Sequence, residues 1–317
     1  RSAYRKTMQF LNFKDGQFID FLGFKRLAAI ISGILILAGV ASIVAHNGLK
    51  YGIDFRGGTN VQIQFSTPPN LDQLRNFFAE NGMKNVVLQT FGDLADHEIL
   101  LGLPINSPLG TGENLTSELR KILEPQHPKL EIRRIETIGP KVGDELKISA
   151  VKAILIALGL VLLYITIRFQ WRQGVSAIVA LVHDVLVVVG MFSIFDKEFS
   201  LTVVAALLTV VGYSLNDTIV VFDRIRENQG KYRKKSFEET INLSITETLS
   251  RTLITSGTTL FVVLSLFLLG GEIIHDFAFA LLVGVLIGTY SSIYVASPLA
   301  VFLTKLVPPG GTVLKSS

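Results

Sequence analysis

Four ionisable groups sit in or at the mouth of apolar stretches, where charge is costly: His183 and Asp184 in one, Asp217 in the next, and Arg251 opening a third. A charged residue in such a stretch faces a partner or a water-filled path. Asp217 follows Tyr213, Ser214 and Asn216, and at helical spacing Tyr213 and Asp217 share a face. Arg251 heads a set with Thr255, Thr258 and Thr259 at i, i+4, i+7 and i+8, again one face. The chemistry these types suggest is proton transfer. Burial and an opposed arginine pull a carboxylate's proton affinity in opposite directions, so a small change of geometry can load or release a proton. Asp217, with Arg251 as a movable counter-charge, fits that description. Two plainer readings stand beside it: a fixed buried pair that sets helix register, or an arginine that snorkels to headgroups. Asp184 reads either as a relay or as a structural hydrogen-bonding group. Its neighbour His183 lies about 100° away around a helix, so the two are not expected to chelate one ion. Tyr213, Asn216 and Thr255 are supporting polar groups, and His275-Asp276 reads as interfacial.

Other motifs carry less chemistry. Gly284, Gly288, Ser291 and Ser292 put small residues on one helix face and predict close helix packing. The stretch GIDFRGGT, residues 52–59, matches neither glycine-rich phosphate-binding pattern. Gly57 and Gly58 there predict a tight turn or a domain hinge. The absence of cysteine excludes disulfides, thiolate metal sites and a cysteine nucleophile. No zinc-hydrolase or serine-hydrolase motif occurs. No enzyme activity, metal or cofactor is expected.

The elements that must position these groups are membrane spans. Nearly half the residues, 49%, are hydrophobic and only 18% are charged, a balance that points to lipid. Six apolar runs reach the roughly 20 residues that a span needs. They cover about 27–45, 149–167, 174–195, 199–222, 252–271 and 277–303. Lys and Arg cluster in residues 1–26, around 168–172, in 223–251 and in the tail 305–317. That distribution predicts both termini and the 223–251 loop in the cytoplasm and residues 46–148 outside. It also explains the net charge of +4 without nucleic acid. Within 223–251, SFEETINLSITETLS predicts a short amphipathic helix lying along the interface or packed on the bundle ends.

Residues 46–148 read as a folded domain. TNVQIQF, NVVLQTF, HEILLGL and KLEIRRIETI are strand patterns, while LDQLRNFFAENG and LTSELRKILE are helical. Gly92-Asp93 joins the middle strands, and the order βαββαβ predicts an α+β ferredoxin-like sandwich on a six-helix α-helical membrane protein.

GIDFRGGT after the first span, ALVHDV in the third, GYSLNDTIVVFDRIREN in the fourth, RTLITSGTTL in the fifth and GTYSSIYVASP in the sixth occur in that order. Together they resemble the SecD/SecF family of bacterial protein-export membrane proteins, within the resistance–nodulation–division superfamily. The resemblance runs from about Leu27 to Leu303. It implies an inner-membrane subunit that works with SecD, YajC and the SecYEG translocon on a translocating preprotein. It implies that protons are the coupling ion for late-stage translocation. The family's proton-transport aspartate falls on Asp217 and its span-five arginine on Arg251. Two rivals remain at this stage: a small-molecule or lipid exporter of the same superfamily, and a passive scaffold that stabilises a translocon.

Overall fold

The first apolar run becomes α1 (Lys25–Ala45). After it the chain turns through α2 (Ile53–Arg56) into β1 (Gly58–Gln64). The computed structural model describes residues 18–83, 86–91, 96–105, 107–109 and 113–307. The first 17 residues, the Gly92-Asp93 turn and residues 308–317 of the tail lie outside them.

The sheet domain continues with α3 (Leu71–Glu80), β2 (Val87–Phe91), β3 (Glu98–Leu103), α4 (Glu113–Leu123) and β4 (Glu131–Ile138). Its strand order is β2-β3-β1-β4, antiparallel at every junction, the ferredoxin-like arrangement that the element order predicts. Alternation sets the register: Val61 stands opposite Leu101 on one side and Ile135 on the other. Val61, Ile63, Leu101, Phe78, Leu115 and Leu119 close the core beneath α3 and α4. Local signals set the ends of α3. The Asn70 carboxamide accepts from the amides of Asp72 and Gln73, and Gly82 leaves the helix at φ +83°.

Pro140 opens α5 (Pro140–Arg168), where its missing N–H costs nothing. Then come α6 (Trp171–Ile194), α7 (Leu201–Lys231), α8 (Phe237–Leu269) and α9 (Gly271–Ser291). A π-helical turn at Ser292–Ala296 leads into α10 (Ser297–Leu306). Pro298 at the start of α10 cannot donate to the preceding turn, which accounts for the irregularity there. Among the described residues, six helices are long and apolar enough to cross a membrane. The hydrophobic windows of α6, α7 and the α9–α10 unit are 56%, 50% and 44% buried. Those of α1, α5 and α8 are 17%, 11% and 17% buried, so the first three form the centre of the bundle.

One expectation fails. Residues 223–251 are not a loop: α7 runs to Lys231, α8 starts at Phe237, and only 232–236 connect them. The SITET stretch is the first part of α8 rather than a separate helix, and of the two placements expected for it, it takes the one packed on the bundle end, not the one along the interface. Its hydroxyl residues are buried rather than exposed, while Glu247 stays at the surface. Ser244, Thr246 and Thr248 donate to carbonyls four residues back, and Asn242 Oδ1 accepts from Leu22 N at 3.1 Å. Asn228 of α7 donates to Ser244 at 3.0 Å. Once its polar groups are satisfied internally, such a segment extends a span instead of needing the interface.

Candidate functional site

The centre of the bundle is held tight by glycine. A Cβ at Gly288 of α9 would stand 2.8 Å from Ser214 Cβ of α7, and one at Gly284 would overlap Val210. Both glycines are therefore needed for the approach of α9 to α7, as their spacing predicts. Gly39 of α1 and Gly190 of α6 cross as closely, with a Cβ on Gly39 only 2.7 Å from Gly190 Cα. Close backbones bring short hydroxyl side chains within reach of the two carboxylates.

Asp184 of α6 is 1% exposed. Ser214 of α7 donates to its Oδ2 at 2.6 Å and Ser291 of α9 at 2.7 Å. Its Oδ1 hydrogen-bonds to His183 Nδ1 at 2.9 Å. The adjacent pair that helical geometry spreads apart thus meets, because the imidazole reaches sideways across the helix surface. His183 Nε2 lies 3.0 Å from Ser32 Oγ of α1, which is 3.0 Å from Tyr290 Oη. Tyr290 in turn donates to Ala28 O at 2.7 Å. The network joins α1, α6, α7 and α9.

Asp217, one turn beyond Ser214 on α7, is 3% exposed. Its Oδ2 accepts from Ser256 of α8 at 3.2 Å, and Thr289 of α9 donates to Ser256 at 2.8 Å. Among the described residues no ion pair joins Arg251 to Asp217, although the guanidinium charge acts on the carboxylate. Arg251 is exposed and lines a crevice of about 480 Å³ together with Asn216, Tyr164, Asp223 and Glu247. Asn216 is exposed in the same crevice. Thr255 faces neither carboxylate, because its hydroxyl donates to the carbonyls of Arg251 and Thr252. Tyr213 Oη is buried and has no hydrogen-bond partner. Among the described residues the site is therefore a buried carboxylate with a single donor, one turn along α7 from the serine that bonds Asp184, and next to a crevice that holds the arginine.

Ser256, Thr289, Ser32 and Tyr290 complete these networks, and sequence reasoning passed over all four. Only the presence of hydroxyls in apolar runs marks them, and most hydroxyls in these helices merely bond their own backbone. At the domain end of the bundle, away from the site, Lys197 donates to Asp276 at 2.8 Å and lies 3.2 Å from His275 Nδ1. Gly57 and Gly58 have φ of +75° and +151°. A Cβ on Gly57 would stand 2.5 Å from Ile105 Cδ1, and one on Gly58 would overlap Leu103 O. These glycines make a tight, packed turn.

Residues 118–306 match the family described as "Protein export membrane protein SecD/SecF, C-terminal", and residues 42–69 match the "SecD/SecF GG Motif". The chain is 46% identical over 296 residues to the protein translocase subunit SecF of Vibrio alginolyticus, covering 92% of this chain and 93% of that one. It is 42% identical to SecF of Escherichia coli O157:H7 over 285 residues, 90% of this chain and 87% of the relative. The crystal structure of SecDF from Thermus thermophilus superposes with a TM-score of 0.78 at 40% identity. That match covers 93% of this chain and 40% of the solved one.

Proposed function

The chain belongs to the SecD/SecF protein-export family, and from that premise we propose that it uses protons entering at Asp217 to drive the late stage of protein translocation. Its relatives support the coarser statement directly: it is a multi-pass inner-membrane protein with a role in Sec protein translocation. The solved SecDF chain is more than twice as long, and the remainder suggests a SecD partner beside these six spans. In the proposed arrangement, SecYEG and YajC complete the machinery. Both termini are cytoplasmic and the sheet domain is periplasmic, in keeping with the basic residues clustered at the other end.

The observation that carries the proposal is the state of Asp217. It is buried at the middle of the bundle with one weak donor, while Arg251 waits at the rim of an open crevice. Protonation removes the arginine's reason to approach, and deprotonation restores it. Either change alters the contact between α7 and α8. One proton crossing 100 mV supplies about 2.3 kcal/mol, so a substantial movement takes several protons or repeated strokes. In this reading the chain contributes positioning and a proton site.

Asp217→Asn in membranes containing the complete complex tests this. Proton-dependent export is expected to disappear while the amount of protein and its assembly stay at the wild-type level. Unimpaired export by an assembled variant would reject the proton role and leave a scaffold. Proton-coupled efflux of lipid or drug in place of export would reassign the chain as an exporter.

A further inference from the structure

The domain end of α7 is not left to water. Residues 50–56, between α1 and β1, lie across it. Phe199 N donates to Lys50 O at 2.7 Å, and Gly52 N donates to Phe199 O at 3.0 Å. These two bonds make a parallel bridge of Tyr51 with Phe199. Asp54 Oδ2 then accepts from Leu201 N at 2.9 Å. Leu201 is the first residue of α7, and the helix's own cap, Ser200, serves Val203 N at a longer 3.4 Å. The first amides of a helix have no acceptors within it and carry the positive end of its dipole, so a carboxylate suits them twice over.

The same segment is gripped from its other side. Phe55 is buried and its ring stacks on Phe199 at 6.1 Å. Gly143 of α5 approaches so closely that a Cβ there would stand 2.8 Å from Phe55 O. Immediately after this grip, Gly57 and Gly58 turn the chain into β1, one of the two central strands of the sheet. No flexible linker separates the start of α7 from the sheet.

We propose that Asp54 is a positioning residue that fastens the sheet domain to α7, so that displacement of that helix moves the domain. Asp217 lies sixteen residues along the same helix, about 24 Å away at 1.5 Å per residue. A helix of that length transmits a shift with little loss. The functional consequence rests on Asp217 being the driven group; the fastening does not.

The chain has no cysteine, so two introduced ones report one distance. Spin labels at Asn114→Cys on α4 and Leu268→Cys on α8, both exposed, span domain and bundle. In the membrane complex the wild-type background is expected to give one narrow distance distribution. Asp54→Ala is expected to broaden it, to speed hydrogen exchange at the Leu201 amide about tenfold, and to reduce export. The infrared band of the Asp217 carboxyl should still titrate as in the wild type. Asp54→Asn keeps an acceptor oxygen and is expected to restore the narrow distribution and most of the export, which also covers the case in which the alanine variant fails to fold. A wild-type distribution and wild-type export in Asp54→Ala would overturn the proposal, as would an Asn variant as impaired as the Ala. Should Asp217→Asn instead leave export intact, the proton reading falls, and the distance measurement still decides the fastening.

Discussion

Asp184 and Asp217 lie on neighbouring helices in the same bundle, 1% and 3% exposed, yet their surroundings differ. Asp184 hydrogen-bonds with His183, Ser214 and Ser291, which come from three helices. Among the described residues Asp217 has Ser256 alone, at a longer 3.2 Å. A carboxylate offers about four acceptor positions. Filling three of them with partners from three helices locks those helices together, and moving any one loses a hydrogen bond. Filling only one leaves an acceptor whose energy depends on what comes near, in a medium where electrostatic interactions are strong. The first arrangement suits a joint, and the second suits the switch proposed for Asp217.

The contrast breaks most visibly by removing the joint. Asp184→Leu takes the acceptor from two buried serine hydroxyls and an imidazole, at about 1–3 kcal/mol for each group left unsatisfied. Thermal unfolding in detergent is expected to show a large drop in midpoint or no folded protein. Asp217→Asn keeps an acceptor for Ser256 and is expected to shift the midpoint little. Equal destabilisation by the two variants would erase the distinction between joint and switch.

How much of this was legible in the sequence follows from the physics of each part. The sheet domain was, because a two-residue alternation fixes both face and register. The spans were, because lipid demands long apolar helices. Asp217 and Arg251 were legible as types, since charge in hydrocarbon is conspicuous. Their separation was not, because the direction a long arginine takes depends on a crevice that three helices build together. The placement of the start of α8 was not legible, because amphipathic spacing is the same whether the polar face meets water or a neighbouring helix. Nor did adjacency on a helix keep His183 from Asp184, where side-chain reach overrode backbone angle.

Packing gives the next effect. Gly284 brings α9 against α7 and so sets Ser291 and Ser214 on Asp184. Gly284→Val forces overlap with Val210 and is expected to cost about 1–3 kcal/mol, read as a lower unfolding midpoint. Gly212 has open space where its Cβ would be, so Gly212→Ala serves as a control that should not lower the midpoint. Ser256→Ala comes below it. That change removes the one donor to Asp217 at a cost of about 0.6 kcal/mol, a small change in midpoint. It leaves Thr289 free to bond Val285 O, as it already does at 2.8 Å. The matching Ser214→Ala variant should cost more, because it opens the filled Asp184 site.

The smallest effect concerns a third carboxylate, outside the spans, where titration is simpler to read. Glu198 sits between α6 and α7 beside Lys50, Arg56, Asp54 and Asp276. Burial pushes its pKa above the usual glutamate value, and the positive charges of Lys50 and Arg56 offset only part of that push. Over the interval between the usual value and the raised one, the folded chain holds a proton that the unfolded chain has released. Folding then binds protons, so this residue's contribution to stability falls as pH rises through the interval and stays low above it. Glu198→Gln cannot lose a proton and removes that slope. In detergent, the unfolding midpoint of Glu198→Gln minus that of the wild type should therefore grow from about pH 4 to about pH 8. If the difference shrinks instead, Lys50 and Arg56 outweigh burial. Glu198 would then be a paired carboxylate like Asp184 in effect, and burial beside a nearby cation would not suffice to make a switch.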